Sequence, residues 1–362
     1  MKKVICFLLI LSTIIPYKVS ALEVSATSAI LMDMDTGRVL YEKNIDQQRL
    51  IASITKIMTA VLAIESNKLD EVVTVGEEVL TMYGSNIYIE LNEKMTLRNL
   101  VYGLLLRSGN DAAIVIATFI GKTEENFVKM MNEKAKEIGM KNTIFQNSHG
   151  LDEVTQNYST AKDMAILSSY ANKLEDYRTI SATEKHIVKS ENKTYLWYNR
   201  NKLLKSYEFA TGGKTGYTPS AGRTLVTTAS KGNLNLTAVT LNDPNEYVSH
   251  TNMYNYGFSK YKKYKIIDQY NFYIDQNFYQ DKVYIKQSFS YPLLESETNK
   301  VKTIVKLEKL RNYENNSKVG YIEISLNNEC IKTIPVYVKV KEKQTSFLKK
   351  ILNFFKMEIF YK

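Results

Sequence analysis

Ile51-Ala52-Ser53-Ile54-Thr55-Lys56-Ile57-Met58-Thr59-Ala60-Val61-Leu62-Ala63-Ile64 is the stretch on which the reading of the fold turns. Ile54, Ile57, Met58, Val61, Leu62 and Ile64 give the wide apolar surface of a helix buried on most sides. Ser53 is expected to open that helix, so Ser53 and Lys56 share one face a turn apart, at its positive end. The field there favours an alkoxide or oxyanion and disfavours a protonated lysine. A lysine that is also desolvated and close to a second cation loses affinity for its proton, which is what a base for a serine hydroxyl needs.

The flanking sequence supplies the rest of a domain. Residues 28–43 read as an antiparallel hairpin turning at Asp35-Thr36-Gly37. Residues 96–106, 112–119 and 124–138 read as further helices, the first two separated by the polar turn Ser108-Gly109-Asn110. Residues 223–230 and 235–241 are alternating or β-branched and are linked by Lys231-Gly232-Asn233. Strand, helices, then strands predicts an α/β (α+β) domain with a mixed sheet and a helical cluster over residues 22–263. From 264 to 342 the composition shifts to short alternating stretches of Tyr, Ile, Val and Lys, read as a small all-β domain without histidine.

The two ends carry most of the charge. The 362 residues have a net charge of +10. Lys2, Lys3 and Lys18 lie in a segment with the layout of a secretory signal peptide, residues 1–21, ending in Val19-Ser20-Ala21. Residues 341–362 add six lysines against Glu342 and Glu358, which leaves residues 22–340 at only +3. That is too little for a nucleic-acid surface, and none is expected. Residues 343–362 read as an amphipathic helix. Phe347, Leu348, Ile351, Leu352, Phe355 and Ile359 share one face, and lysines on the other suit an anionic membrane surface. Cys330 is alone once Cys6 leaves with the signal, so no intrachain disulfide or thiolate metal cluster is expected.

For chemistry, H-E-x-x-H, G-x-S-x-G and G-x-x-x-x-G-K-[ST] are absent from the sequence. The S-x-x-K at Ser53 recurs at Ser159, Ser190, Ser259 and Ser346, but only Ser53 opens a buried helix. Lys214-Thr215-Gly216 is the one K-T-G, flanked by Gly212-Gly213 and read as leading into a strand whose glycines let a substrate backbone approach. Its lysine is the expected second cation beside Lys56. Ser108 offers a proton relay and Asn110 an amide for a substrate carbonyl. Three such tripeptides in this order point to a lysine-activated serine.

Together with Asn199-Arg200-Asn201-Lys202-Leu203-Leu204 and Lys214-Thr215-Gly216-Tyr217-Thr218-Pro219, these motifs make the chain resemble the serine-type D-alanyl-D-alanine carboxypeptidases, the low-molecular-weight penicillin-binding proteins of bacterial cell walls. The resemblance implies a transpeptidase/β-lactamase-like domain, with Ser53 as nucleophile, Lys56 as base, Ser108 as relay and Asn110 as substrate contact. It further implies that Lys214, Thr215, Gly216 and Arg200 bind the substrate, and that the backbone N–H groups of Ser53 and Tyr217 form an oxyanion hole. The implied substrate is a peptidoglycan stem peptide ending in D-Ala-D-Ala, with β-lactams as acylating inhibitors and no metal or other cofactor. The implied location is exported, at the outer face of the cytoplasmic membrane. Leu50-Ile51-Ala52 departs from the family's proline two residues before the nucleophile, which predicts a less rigid approach to Ser53. His149 and Asp163 are read either as supports of the site or as purely structural. Two rivals stand beside this reading: a β-lactamase using Asp152 or Glu153 to hold water, and a catalytically silent wall-binding or β-lactam-sensing protein.

Overall fold

The structure is a computed structural model that describes residues 22–340 apart from 191–192, 277 and 280–281. The signal peptide read at 1–21 and the amphipathic helix read at 343–362 lie outside the described residues. The chain divides into two compact units, up to Lys260 and from Tyr261 onward.

In the first unit, Ser28–Asp33 is buried along its whole length and forms an inner strand. The sheet order is Val39–Lys43, Ser28–Asp33, Leu234–Leu241, Gly222–Lys231 and Ala210–Thr218. The hairpin read at 28–43 is present, and so are the two later strands. The sheet is antiparallel throughout, not mixed. The physical reason lies in the connections: the links after Asp33, Thr218 and Lys231 are too short to carry the crossover that a parallel pair needs.

Helices cover both faces of this sheet. The Thr237 hydroxyl donates to Ser168 at 2.8 Å, toward the Ala161–Ala171 helix. Thr240 lies 3.1 Å from His250 of the Glu246–Lys260 helix. Residues of opposite parity on one strand point to opposite faces, so these two helices sandwich the sheet. The Asn110–Gly121 and Glu124–Ile138 helices share one apolar core with Ile30, Val226, Val239 and Leu241.

The helix around which that core forms is Lys56–Glu65, in which every residue but Glu65 is buried. It starts three residues later than expected. Ala52–Thr55 is a 3-10 turn, so Ser53 sits in the turn before the α-helix and Lys56 is the first α-helical residue. The helix read at 96–106 is α-helical over Leu97–Tyr102, where Thr96 caps it by accepting from Asn99 N–H, and passes into a π turn at Gly103–Arg107.

The second unit is all β. A four-stranded antiparallel sheet has the order Lys282–Tyr284, Glu329–Lys339, Lys318–Leu326 and Val301–Leu307, and Tyr261–Ile267 pairs with Phe289–Leu294. Ile322, Ile324, Ile334, Val336 and Val338 form its core at alternating positions.

His250 gives the first unit an acid sensitivity. It is fully buried, with Nδ1 2.6 Å from Thr227 Oγ1 and Nε2 3.1 Å from Thr240 Oγ1, and burial lowers its pKa from 6.5 to about 3. Between those values the unfolded chain binds the proton and the folded chain does not. The neutral imidazole's contribution is therefore fully present above pH 6.5 and falls as pH drops, by about 1.4 kcal/mol per unit. Thermal melts of His250→Gln between pH 7.5 and 4.5 should show a lower Tm than wild type at pH 7.5 and a shallower decline toward acid. Equal slopes for the two proteins would refute this.

Candidate active site

The nucleophile turn is shaped by close backbone contacts on two sides. Ala52 adopts φ +48°, the left-handed region that a residue with a Cβ occupies only under tertiary constraint. Gly216, in the Ala210–Thr218 edge strand, lies so near that a Cβ there would stand 3.0 Å from Ser53 N and 3.1 Å from Ile54 N. On another side Gly150 (φ +87°) approaches the Ala52 carbonyl so closely that a Cβ would overlap it. Thr224 Oγ1 donates to Ile51 O at 3.0 Å. These contacts fix a segment whose sequence predicted a less rigid approach.

Lys56 is fully buried and projects to Ser53. Its Nζ lies 3.0 Å from Ser53 Oγ and 2.7 Å from Asn110 Oδ1, and it donates a short hydrogen bond to the His149 carbonyl. Burial lowers its pKa from 10.5 to about 7, helped by the positive charge of Arg200 and opposed by the carboxylate of Asp111. The expected depressing cation was Lys214. That lysine is itself fully buried, and burial, then Lys56, then Arg200 push its own pKa well below the ordinary value, so Arg200 is the second cation. Lys214 Nζ donates to Thr215 O at 2.7 Å.

A neutral amine has two N–H donors and one lone pair. Asn110 Oδ1 and the His149 carbonyl take the donors, which leaves the lone pair for the Ser53 hydroxyl. The orientation of Asn110 is set elsewhere: its Nδ2 donates to Tyr83 O at 2.7 Å, and its backbone N–H donates to Ser85 O at 2.7 Å. The segment carrying those carbonyls is anchored by Asp111, whose carboxylate accepts from the N–H groups of Ile87, Tyr88 and Ile89.

Ser108 ends the π turn with φ +64° and ψ +35° and is buried. It lines one cleft of about 740 Å³ with Ser53, Arg200, Thr215, Gly216 and Tyr217. Arg200 is placed by Leu106 O, which accepts its backbone N–H at 3.1 Å, and by Ser85 Oγ, which accepts from Nη1 at 2.8 Å. The fold therefore brings together every residue singled out as catalytic or binding. Lys214-Thr215-Gly216 lies inside the edge strand, not ahead of it.

The two undecided residues separate. The His149 ring accepts from Leu151 N–H at 3.0 Å, and burial together with Lys56 lowers its pKa to about 3, so the ring stays neutral while its backbone carbonyl serves the site. Asp163 accepts from Asn142 N–H at 2.7 Å and Thr143 Oγ1 at 2.8 Å, a loop-tying role. Asp152 accepts from Thr218 Oγ1 at 2.6 Å and Glu153 from Tyr83 at 3.1 Å, so both acids have structural partners. Sequence reasoning missed Asn157. Its Nδ2 bonds to Thr55 Oγ1 and Asn147 O at 3.0 Å each, pinning the His149 loop against the nucleophile turn. Asparagines among turn residues were the available signal.

Two family models match the chain: one described as D-alanyl-D-alanine carboxypeptidase over residues 16–245, and one described as penicillin-binding protein 5, C-terminal domain, over residues 261–344. The D-alanyl-D-alanine carboxypeptidase DacF of Bacillus subtilis is 40% identical over 254 residues, covering 68% of this chain and 65% of the relative. The chain thus spans a little under two thirds of the length of that curated relative. Among solved structures, penicillin-binding protein 5 from Haemophilus influenzae superposes with a TM-score of 0.75 at 27% identity, covering 89% of this chain and 98% of that one. A mutant of the Streptomyces K15 DD-transpeptidase gives a TM-score of 0.62 at 32% identity, covering 66% and 99%.

The contact between Gly216 and the nucleophile turn can be tested directly. Gly216→Ala should slow acylation of Ser53 by a labelled penicillin at least tenfold, because the new Cβ would overlap the Thr224 hydroxyl that bonds Ile51 O, and that hydroxyl and the strand or the turn must move. Gly232→Ala strains a turn with open space around it and should lower stability without slowing acylation. Equal acylation by wild type and Gly216→Ala would show that the contact is not needed.

Proposed function

Because the chain belongs to the D-alanyl-D-alanine carboxypeptidase family, we propose that it removes the terminal D-alanine from peptidoglycan stem peptides through an acyl-enzyme on Ser53. The observation that carries this reading is the 3.0 Å contact between Lys56 Nζ and Ser53 Oγ, with a buried amine whose pKa is about 7. Neutral Lys56 takes the Ser53 proton as Oγ attacks the carbonyl of the penultimate D-alanine. The oxyanion is received by the backbone N–H groups of Ser53 and Tyr217, each worth about 3 kcal/mol of barrier. Ser108 relays the proton to the leaving amine. The bond to the terminal D-alanine breaks, and water then hydrolyses the ester with Lys56 again as base. Lys214, Thr215 and Arg200 hold the terminal carboxylate, while Asn110 contacts the substrate amide.

The same nucleophile takes β-lactams as acylating inhibitors, because opening their ring leaves an ester on Ser53. The structural engagement of Asp152 and Glu153 favours this reading over the β-lactamase one. Export, a place at the outer face of the cytoplasmic membrane and peripheral attachment to anionic lipid rest on the sequence of residues 1–21 and 343–362. Among the described residues no helix is long and apolar enough to cross a membrane.

Mass spectrometry of the protein incubated with a peptide ending in D-Ala-D-Ala, and separately with a penicillin, tests the reading. Release of one D-alanine and a covalent adduct on a peptide containing Ser53 are expected, and both should vanish in Ser53→Ala. An adduct on Ser159 or Ser190 would overturn the assignment. Lys56→Arg should lose nearly all acylation, since a guanidinium stays protonated.

The pH dependence follows from Lys56. Its proton must be gone for it to act, so the acylation rate should rise with pH through a midpoint near 7. Arg200→Gln removes a charge that lowers that pKa and should move the midpoint upward. A flat profile between pH 5.5 and 8.5 would exclude Lys56 as the base.

A further inference from the structure

The cleft that holds Ser53 continues past Thr215 and Tyr217 to a second group of polar side chains, Arg223, Glu246 and Tyr247. Arg223 stands opposite Tyr217 in the register of the Gly222–Lys231 and Ala210–Thr218 strands. Its guanidinium carbon lies 5.7 Å from the centre of the Tyr217 ring, and Nη1 lies 3.4 Å from Glu246 Oε1. The backbone beneath is fixed, since Asp243 N–H donates to Arg223 O at 3.0 Å.

The ion pair is lopsided. The Glu246 side chain is 10% exposed and the Arg223 side chain 57%. A guanidinium has five donors in a planar fork, and one contact at 3.4 Å occupies little of it. The carboxylate therefore holds the head group from inside the protein, and Arg223, more than half exposed, lines the cleft. The adjacent residue performs a parallel task for the other arginine: Tyr247 O–H donates to Arg200 O at 3.2 Å. The first turn of the Glu246–Lys260 helix thus ties both arginines to one element.

We propose that Arg223 is a specificity-determining residue, a second guanidinium in the cleft that Arg200 also lines, which recognises the free carboxylate of the acyl donor, with Glu246 and Tyr217 positioning it. This rests on the function proposed above and adds to it a group outside the three motifs. Planar, bidentate recognition of a carboxylate is what an arginine supplies and a lysine does not.

The test uses the full chain and an acyl donor with and without its carboxylate: benzylpenicillin and its methyl ester, each at Ser53. In wild type the acid should acylate faster than the ester. Arg223→Gln should lower that acid-to-ester ratio about tenfold, and Arg223→Lys should recover only part of it. An unchanged ratio in Arg223→Gln, even with both rates reduced together, would assign Arg223 a structural role and overturn the proposal. D-alanine release by wild type is measured in parallel. No release alongside a falling ratio counts against the carboxypeptidase reading alone, and release alongside an unchanged ratio counts against Arg223 alone.

Discussion

The amine of Lys56 is held from three directions, each belonging to a different part of the chain: the nucleophile turn through Ser53, the Asn110–Gly121 helix through Asn110, and the loop of His149 through its carbonyl. An ammonium enclosed without partners costs several kcal/mol even after the protein relaxes. Burial here comes with acceptors enough to orient the amine and with the positive charge of Arg200 to ease the proton away. The requirement passes outward. Asn110 presents oxygen to Lys56 because its Nδ2 donates one hydrogen to Tyr83 O, and the segment bearing Tyr83 stays in place because Asp111 accepts consecutive backbone N–H groups just beyond it.

Backbone packing adds a second constraint of a different kind. At Gly150 main chain meets the main chain of Ala52, and at Gly216 the Thr224 hydroxyl and the backbone of Ser53 close in, leaving no room for a methyl group on either. The left-handed Ala52 is held in its strained conformation by those neighbours and by the bond from Thr224 to Ile51 O. Strain at such a position is stored by the surrounding fold and aims the residue that follows it. A proline before the nucleophile would stiffen the turn locally; here tertiary contacts stiffen it.

Much of this was legible in the sequence. The burial of the Lys56–Glu65 helix follows from its apolar period, and the strands at 223–230 and 235–241 follow from their β-branched residues and the Lys-Gly-Asn link. The site residues were legible because three short motifs in order have few explanations. Periodicity did not show where the α-helix begins, since a 3-10 turn leaves the same apolar pattern. It did not show the π turn at Gly103–Arg107 either, because one widened turn barely changes a window average. The part of His149 that matters is a carbonyl, which every residue has, so the side chain drew attention to the right loop for the wrong atom. That burial, and after it Arg200 and not Lys214, lowers the proton affinity of Lys56 depends on the packing around the amine, which spacing along a chain does not encode.

The order of strands in the sheet bears on how the protein comes to exist. Ser28 pairs with Leu241 across more than 200 residues of sequence, and the two strands lie side by side within the sheet. Contacts so distant in the chain form slowly, since a long loop must close before they contribute. The Lys214-Thr215-Gly216 strand joins that sheet only through the Gly222–Lys231 strand, itself laid on Leu234–Leu241. The nucleophile turn, although encoded early and entered from a strand that pairs at Tyr158–Ser159, lacks the strand that brings Gly216 against it until the last third of the domain has arrived. In a chain made from its N-terminus, this topology delays assembly of the candidate nucleophile's surroundings until nearly the whole first unit has been synthesised.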